Sequence, residues 1–577
     1  MVAYCTKLPT EVWTRCWSQS SPRDLRRLVR VCRYFHDLCQ PLLFQCQRFR
    51  APSHHDIGPT NWIGTVQDLH RSTIRVRKLL ASIHVSAVRS WDFRGDTEYP
   101  SLIDINPNIL NIGSVNETYQ KLVHLFTSTL CVYQNLRSLH LRSFTVDTEL
   151  REALPGLARL EELELDSCNI IGRTGPLLAL QELKLAWWGW GTTQTVNQPL
   201  YIVSPDTLRT LTLGDSRNSG ALLAALTEQP HTFHSLTTLS IELSDSILAR
   251  FLQFLEACPQ LTRLEIIKSY LTKHPLGHLA GGAIPRLRSF KGPRLLAAFF
   301  VCERPVSIMD LAGGSGFDDE SKPAEKDIIR DLANIAHVSS GVQSFSIMAP
   351  IRLALTLSAA ITTHWPDLRE LRLLLKETPP PRASRVIADV DSDEDSDTYS
   401  ETSDMMGEPV ADTCTVELSD NESLGSARFS PGYPPIMLSP DSDAEDAEPI
   451  PDVLLPGHMY SSYRHVSPPA PDTQSTQQTD DPDTIQNLVN RISAGSFSLP
   501  RSLERLHLTR PQSWMLSPRG RPLSAADHHR VVLALERQLP ALRELNFGKS
   551  TIWRRHRNTW TQGHTGTKIA SLYHSSA

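Results

Sequence analysis

One pattern governs most of the chain: a leucine, two variable residues, a second leucine, one variable residue, then an apolar residue. It stands at Leu136-Leu139-Leu141, Leu160-Leu163-Leu165, Leu180-Leu183-Leu185, Leu208-Leu211-Leu213, Leu236-Leu239-Ile241 and Leu261-Leu264-Ile266. It returns at Leu368-Leu371-Leu373, Leu503-Leu506-Leu508 and Leu542-Leu545-Phe547, with weaker copies beginning at Val88, Leu287 and Val342. From Leu136 to Leu287 the starts are 24, 20, 28, 28, 25 and 26 residues apart. Alternation at the fourth and sixth positions predicts a short strand with one buried face. Helix-like runs such as Ala221–Leu226 and Ile247–Leu252 lie between the strands. No single strand–helix unit can bury its own apolar face, so neighbours must stack on a shared core. The expected fold is α/β: an uneven, curved parallel sheet with helices outside it. The 55-residue gap between Leu287 and Val342 is expected to hold a degenerate unit around Val306–Leu311.

Upstream, the periodicity changes to that of helices. Ser21-Pro22-Arg23-Asp24 reads as a helix start, with Ser21 as cap, Pro22 in the first helical position and Asp24 reaching back. Leu25, Leu28, Val29, Cys32 and Phe35 then follow at three- and four-residue steps. Before them Leu8, Val12 and Cys16 stand four apart beside Trp13 and Trp17, and after them Pro41 is expected to break a helix. Three short helices in about 40 residues lie near the lower limit for an independent core, which favours a module that a partner covers. A further helix is expected over Val66–Leu80.

Charge divides the chain. Residues 377–500 hold 24 Asp/Glu against 5 Arg and no Lys, within a total of 63 acidic and 58 basic residues. The remainder is therefore basic. The acidic segment is rich in Pro and Ser and too poor in apolar residues to offset ordering entropy, so disorder is expected there. Its densest run is Asp391–Asp397; Ser392, Ser419 and Ser442 have an acid three residues on, and Ser430, Ser439 and Ser467 precede proline. A solvated spacer is the preferred role, with a self-masking arm over the basic body as the alternative. The expected domains are 1–50 helical module, 51–84 helical linker, 85–376 repeats, 377–500 acidic insertion, 501–550 terminal repeats and 551–577 basic tail.

Candidate chemistry is sparse. No stretch of 18 apolar residues occurs, no secretory signal is seen, and the ten cysteines include no C-x-x-C pair. Cys32, Cys39 and Cys46 recur every seven residues, which would place them near one helix face for packing. Convergent metal ligands, a nucleophile elbow and a phosphate loop are all unseen, since Gly313-Gly314-Ser315-Gly316 lacks the lysine of a phosphate cradle. The expectation is a non-enzyme without cofactor or metal, in a reduced cytoplasmic or nuclear setting. Binding is expected on the strand positions that point away from the core. These are Ser138, His140 and Arg142, then Glu162, Glu164 and Asp166, then Glu182 and Lys184, and later Thr212, Ser240, Glu265, Arg372, His507 and Asn546. The site residues singled out for a protein partner are His140, Arg142, Glu164, Asp166 and Lys184, with Trp187, Trp188 and Trp190 as aromatic anchors. Mixed charge makes nucleic acid the weaker reading.

Two resemblances follow from these residues. The set Leu8-Pro9-x-Glu11-Val12, Asp24-Leu25, Leu28, Val31-Cys32-Arg33-x-Phe35, Leu38 and Pro41-Leu42 resembles the F-box. The leucine pattern at this spacing resembles leucine-rich repeats, with Leu160–Ile170 in the fuller form and Cys168 at its Asn/Cys position. Together they look like an F-box receptor protein with irregular repeats, of the divergent kind common in fungi. That resemblance implies a module bound by a Skp-type adaptor and, through it, a cullin–RING ubiquitin ligase. Leu8, Pro9, Val12, Leu25, Leu28, Val31 and Phe35 would supply apolar adaptor or core contacts. Glu11 and Arg33 would be polar members, with Cys32, Leu38 and Pro41 completing the adaptor-binding set. The repeats would present a protein target for ubiquitination. Cys16 and Ser20 depart from the family's larger aliphatic and leucine, so a weakened fold or weakened adaptor binding is expected there, by about 2–5 kcal/mol if a buried leucine's contacts are lost. The alternative is a repeat scaffold outside any ligase, with the module as its cap.

Overall fold

The structure, a computed structural model, describes residues 8–51, 62–95, 112–171, 175–186, 199–214, 216–228, 232–272, 279–312, 325–339, 341–376, 485–509, 524–547, 551–557 and 559–564. The chain divides into two units, 1–379 with 480–577 and 380–479, and all the described residues belong to the first. The acidic run, its serines, and residues 377–484 of the expected disordered insertion lie outside the described residues.

Three helices open the chain: α1 (Thr10–Trp17), α2 (Pro22–Val29) and α3 (Arg33–Phe44). Ser21 caps α2, its hydroxyl oxygen accepting from the Asp24 amide at 3.2 Å and donating to the Asp24 carboxylate at 2.7 Å. The three helices share a small core of Trp17, Leu25, Cys39 and Leu42, with Trp13, Leu28, Val29, Phe35, Leu38 and Leu43 packed against it. Pro41 does not end its helix; α3 runs through it to Phe44. Proline removes one hydrogen bond there, but burial of Cys39 and Leu42 on either side of it holds the last turn in place. The seven-residue cysteine spacing is not a helix face. Cys32 precedes α3, Cys39 is buried within it, and Cys46 opens a strand.

The rest is mixed α/β, built on a large, mostly parallel sheet. Its strands are β1 (Cys46–Arg50), β2 (Ser90–Arg94), β3 (Ser138–Arg142), β5 (Glu162–Asp166), β7 (Glu182–Leu185), β8 (Thr210–Leu213), β9 (Thr238–Ser244) and β10 (Arg263–Tyr270). They continue as β11 (Ser289–Lys291), β12 (Ile308–Leu311), β13 (Ser344–Pro350), β14 (Glu370–Lys376), β15 (Arg505–Thr509) and β16 (Glu544–Asn546). These pair in chain order, each parallel to the last, while β4 (Thr145–Val146) and β6 (Asn169–Ile170) form a separate parallel pair. β17 (Thr551–His556) and β18 (Thr559–His564) close the order antiparallel, giving the large sheet sixteen strands among the described residues.

Parallel neighbours need a crossover, and the longer connections supply helices. They are α4 (Trp62–Leu80), α5 (Ile112–Thr129), α6 (Thr148–Ala153), α7 (Ser216–Glu228), α8 (Asp245–Glu256) and α9 (Arg294–Val301). Further on come α10 (Glu325–Val338), α11 (Ala354–His364), α12 (Ile485–Ser493) and α13 (Ala525–Gln538). The second and fourth strand residues, such as Leu139 and Leu141 or Leu211 and Leu213, join helix residues such as Phe126, Phe251, Leu296 and Leu332 in one continuous core. Where a unit between β10 and β12 lacks bulk, a charged side chain fills it. Arg304 is buried and donates to the carbonyls of Leu279, Ala280, Ala283 and Cys302 at 2.6–3.2 Å. No helix among the described residues is long and apolar enough to cross a membrane.

Three segments differ from the sequence expectation. Cys46–Arg50, assigned to the helical module, is the first strand of the sheet; Phe49 packs on Phe93 with ring centroids 4.6 Å apart. Residues 485–500, assigned to the acidic insertion, include α12, and Leu488, Val489, Ile492, Phe497 and Leu499 are buried in the main core. The basic tail contains two strands. Its first part is the β17–β18 hairpin, with Trp553 in the core and Arg554 and Arg555 paired to Glu544 and Glu536 at 3.1 and 3.2 Å.

Candidate functional site

Two surfaces collect the residues singled out in the sequence. The first is the helical module. Pro9 precedes α1 as its cap residue and Glu11 lies in its first turn. Leu8, Val12 and Val31 are exposed, at 44%, 41% and 59% of their full surface. Leu25 is buried, and Leu28, Phe35 and Leu38 are half-buried against the module core, Phe35 lying 4.6 Å from the Trp17 ring and 5.7 Å from Trp13. Cys32 and Pro41 are half-buried and Arg33 is exposed. The set thus separates into residues that build the module and apolar residues left outside it. Cys16 is exposed, so the module's own core loses no contact there.

The second surface is the polar face of the sheet. The register carries one lateral row from Arg48 through Asp92, His140, Glu164, Lys184, Thr212, Ser240, Glu265, Lys291, Asp310, Ser346, Arg372 and His507 to Asn546. A parallel row runs through Ser90, Ser138, Glu162, Glu182, Thr210 and Thr238. Strand spacing of about 4.8 Å lets side chains in one row touch.

On β3, β5 and β7 they form a continuous network. The Ser138 hydroxyl donates to Glu162 Oε2 at 2.9 Å and lies 2.7 Å from His140 Nε2. A hydroxyl has one proton, so with that proton on Glu162 it accepts from His140, which places a hydrogen on Nε2. Glu162 Oε1 lies 3.5 Å from His140 Nε2 and accepts from Lys184 Nζ at 3.1 Å. Lys184 also reaches Glu182 at 2.7 Å and Glu164 at 4.0 Å, and Glu164 stands 3.8 Å from His140 Nδ1. Arg142 pairs with Asp166 at 3.1 Å.

The hydrogen bond that His140 donates to Glu162 raises the histidine above its ordinary value, against its partial burial. The same bond, with those from Ser138 and Lys184, holds Glu162 down to about 2. Lys184 is raised, because its bonds to Glu182 and Glu162 outweigh the burial that opposes its charge. The sequence reading saw no convergent metal ligands, yet His140, Glu162 and Glu164 offer ligand atoms within 4.8 Å of one another. Lys184 already supplies a cation to both carboxylates of that group, Glu162 and Glu164. The arrangement is suited to exchanging these ion pairs for those of a polar partner.

At the other end of the same row, Glu370 is nearly enclosed, its side chain 8% exposed. It takes Arg372 at 2.7 Å, Arg505 at 3.0 Å and His507 at 3.8 Å. Burial lowers His507 below the ordinary value, and the nearby Arg372 charge adds to the effect. Glu370 and Arg505 were not singled out in the sequence; they precede the buried leucine of each strand, and their signal is only that position. Trp187, Trp188 and Trp190 lie outside the described residues. The chain matches no protein-family model and no curated protein.

Proposed function

We propose that this chain is the non-catalytic substrate receptor of a Skp–cullin–F-box type ubiquitin ligase. In this reading the N-terminal helices are an F-box that docks a Skp-type adaptor, and the strand–helix units are leucine-rich repeats whose polar face binds a protein target. The observation that carries it is the division inside the module: Trp17, Leu25, Cys39 and Leu42 make its core while Leu8, Val12 and Val31 stay exposed. Apolar side chains kept outside a core this small fit a surface that a partner covers. The polar face supports the second half, because mixed, half-exposed charge suits a protein partner.

One observation favours the alternative of a scaffold outside any ligase. The last helix of the module, α3, runs directly into β1, and Phe44 stacks on His84 with ring centroids 4.7 Å apart. A helical cap closing the first edge of the sheet would be joined in the same way. Co-expression of the full chain with a Skp-type adaptor separates the two. The receptor gives a complex that survives size-exclusion chromatography and weakens at least tenfold in a Leu8→Ala/Pro9→Ala variant. A folded chain that forms no complex leaves the scaffold.

A further inference from the structure

A cleft of about 270 Å3 opens where the helical module meets the first strands, lined by Pro41 and Gln45 on one side and Arg89, Asn135, Arg137 and Arg159 on the other. We propose that it is a binding site for a small, multiply charged phosphate-type anion. This inference is independent of the ligase reading.

The arginines are placed by the sheet. Arg89 and Arg137 each precede a strand, and their amides extend the ladder backwards: Arg89 N–H donates to the Gln45 carbonyl at 2.9 Å, and Arg137 N–H to the Arg89 carbonyl at 2.8 Å. The two residues therefore sit one strand spacing apart. Asn135 sets the third. Its amide nitrogen donates to the Ser86 carbonyl at 2.7 Å, and its oxygen accepts from Arg159 at 2.7 Å. Arg159 is thus held by one of its donors while others stay available.

Charge compensation is incomplete. Arg137 meets Glu161 at a loose 3.7 Å, and no carboxylate among the described residues lines the cleft. The Arg89 side chain has no hydrogen-bond or ion-pair partner among the described residues. Three exposed arginines line one cleft, with one carboxylate at its margin, which leaves positive charge that a multiply charged anion can pair with. Their planar donor forks match tetrahedral oxyanions bidentately, which is the chemistry that recognises phosphate. One feature opposes this: α3 ends at the cleft, and a helix C-terminus disfavours an anion. The Gln45 carbonyl is already taken by the Arg89 and Ser90 amides, and three full charges outweigh a fractional one. The volume falls below the usual range of roughly 300–1,000 Å3 for organic ligands, so the occupant is compact.

Isothermal titration of the full chain with tripolyphosphate, at fixed ionic strength, tests this. One saturable site is expected, weakened at least tenfold by Arg89→Glu and unchanged by Arg288→Glu, which alters an exposed arginine before β11 that does not line the cleft. Orthophosphate should bind the same site more weakly. Arg89→Gln serves where the charge reversal fails to fold. The proposal is overturned by absence of saturable binding, or by equal loss in the Arg288 variant, which would indicate diffuse charge. Citrate binding as tightly as tripolyphosphate overturns the phosphate assignment.

Discussion

His140 and His507 occupy one lateral row of one sheet, yet their surroundings push them in opposite directions. Around His140, the acids Glu162 and Glu164 share one lysine, and the ring is held by a serine whose hydroxyl donates a hydrogen bond to Glu162. Around His507, one carboxylate, Glu370, serves two arginines, and the ring is almost enclosed. The first cluster favours the imidazolium and the second the neutral ring. Position in a repeating frame therefore sets where a side chain points, while its lateral neighbours and burial set its charge. The open cluster can trade partners; the closed one has little room to, and it leaves His507 Nε2 buried without a hydrogen bond among the described residues.

The strongest way to break this contrast is to remove the carboxylate from each end. Glu370→Gln removes the carboxylate that Arg372, Arg505 and His507 share and leaves Glu544 on the adjacent strand as a neighbouring anion. Breaking a buried pair on one side costs about 3–5 kcal/mol, but Arg372 and Arg505 are 38% and 49% exposed and can rehydrate. A loss at the lower end, about 3 kcal/mol, is expected in denaturant unfolding. Glu162→Gln should cost about 1 kcal/mol, because its neighbours are half-exposed and Glu182 and Glu164 still hold Lys184. Its larger signature is on His140, whose titration by NMR should fall back toward the ordinary value. Equal losses at the two positions would mean that burial does not separate the clusters.

What the sequence shows of these clusters follows from the range of the interactions. A period of two is local, so the buried leucines, the strands around them and the outward direction of His140, Glu164 and Lys184 can all be read from a few adjacent residues. The partners cannot. Ser138 meets Glu162 and Lys184 meets Glu162 only because successive strands align in register across gaps of 24 and 22 residues. Glu370 and Arg505 meet because β14 pairs directly with β15 across the whole acidic segment. Helix α12 was hidden by the charge of the sequence before it, and the β17–β18 hairpin by its arginines, whose carboxylate partners lie on other elements. Cys16 shows the same limit in reverse: the motif suggests a core position, and the fold leaves it exposed.

The smallest effect is the most specific, because the two histidines should bend the pH dependence of stability in opposite senses. His140 is raised in the folded chain, so its contribution is fully present below the unfolded value near 6.5 and is lost as pH rises through its folded value. His507 is lowered, so its contribution is present above about 6.5 and is lost as pH falls toward its folded value. His528, also lowered by burial, adds to that second limb. Stability should therefore climb toward pH 6.5 and decline beyond it as far as these groups decide it. Glu162, held at about 2, adds only a loss at strongly acid pH. Urea unfolding of His140→Ala should flatten the decline above pH 6.5 while leaving the rise below it. His507→Ala should reduce the rise and leave the decline. Two variants that shift the same limb would show that one field governs the row, and the contrast between its ends would fall.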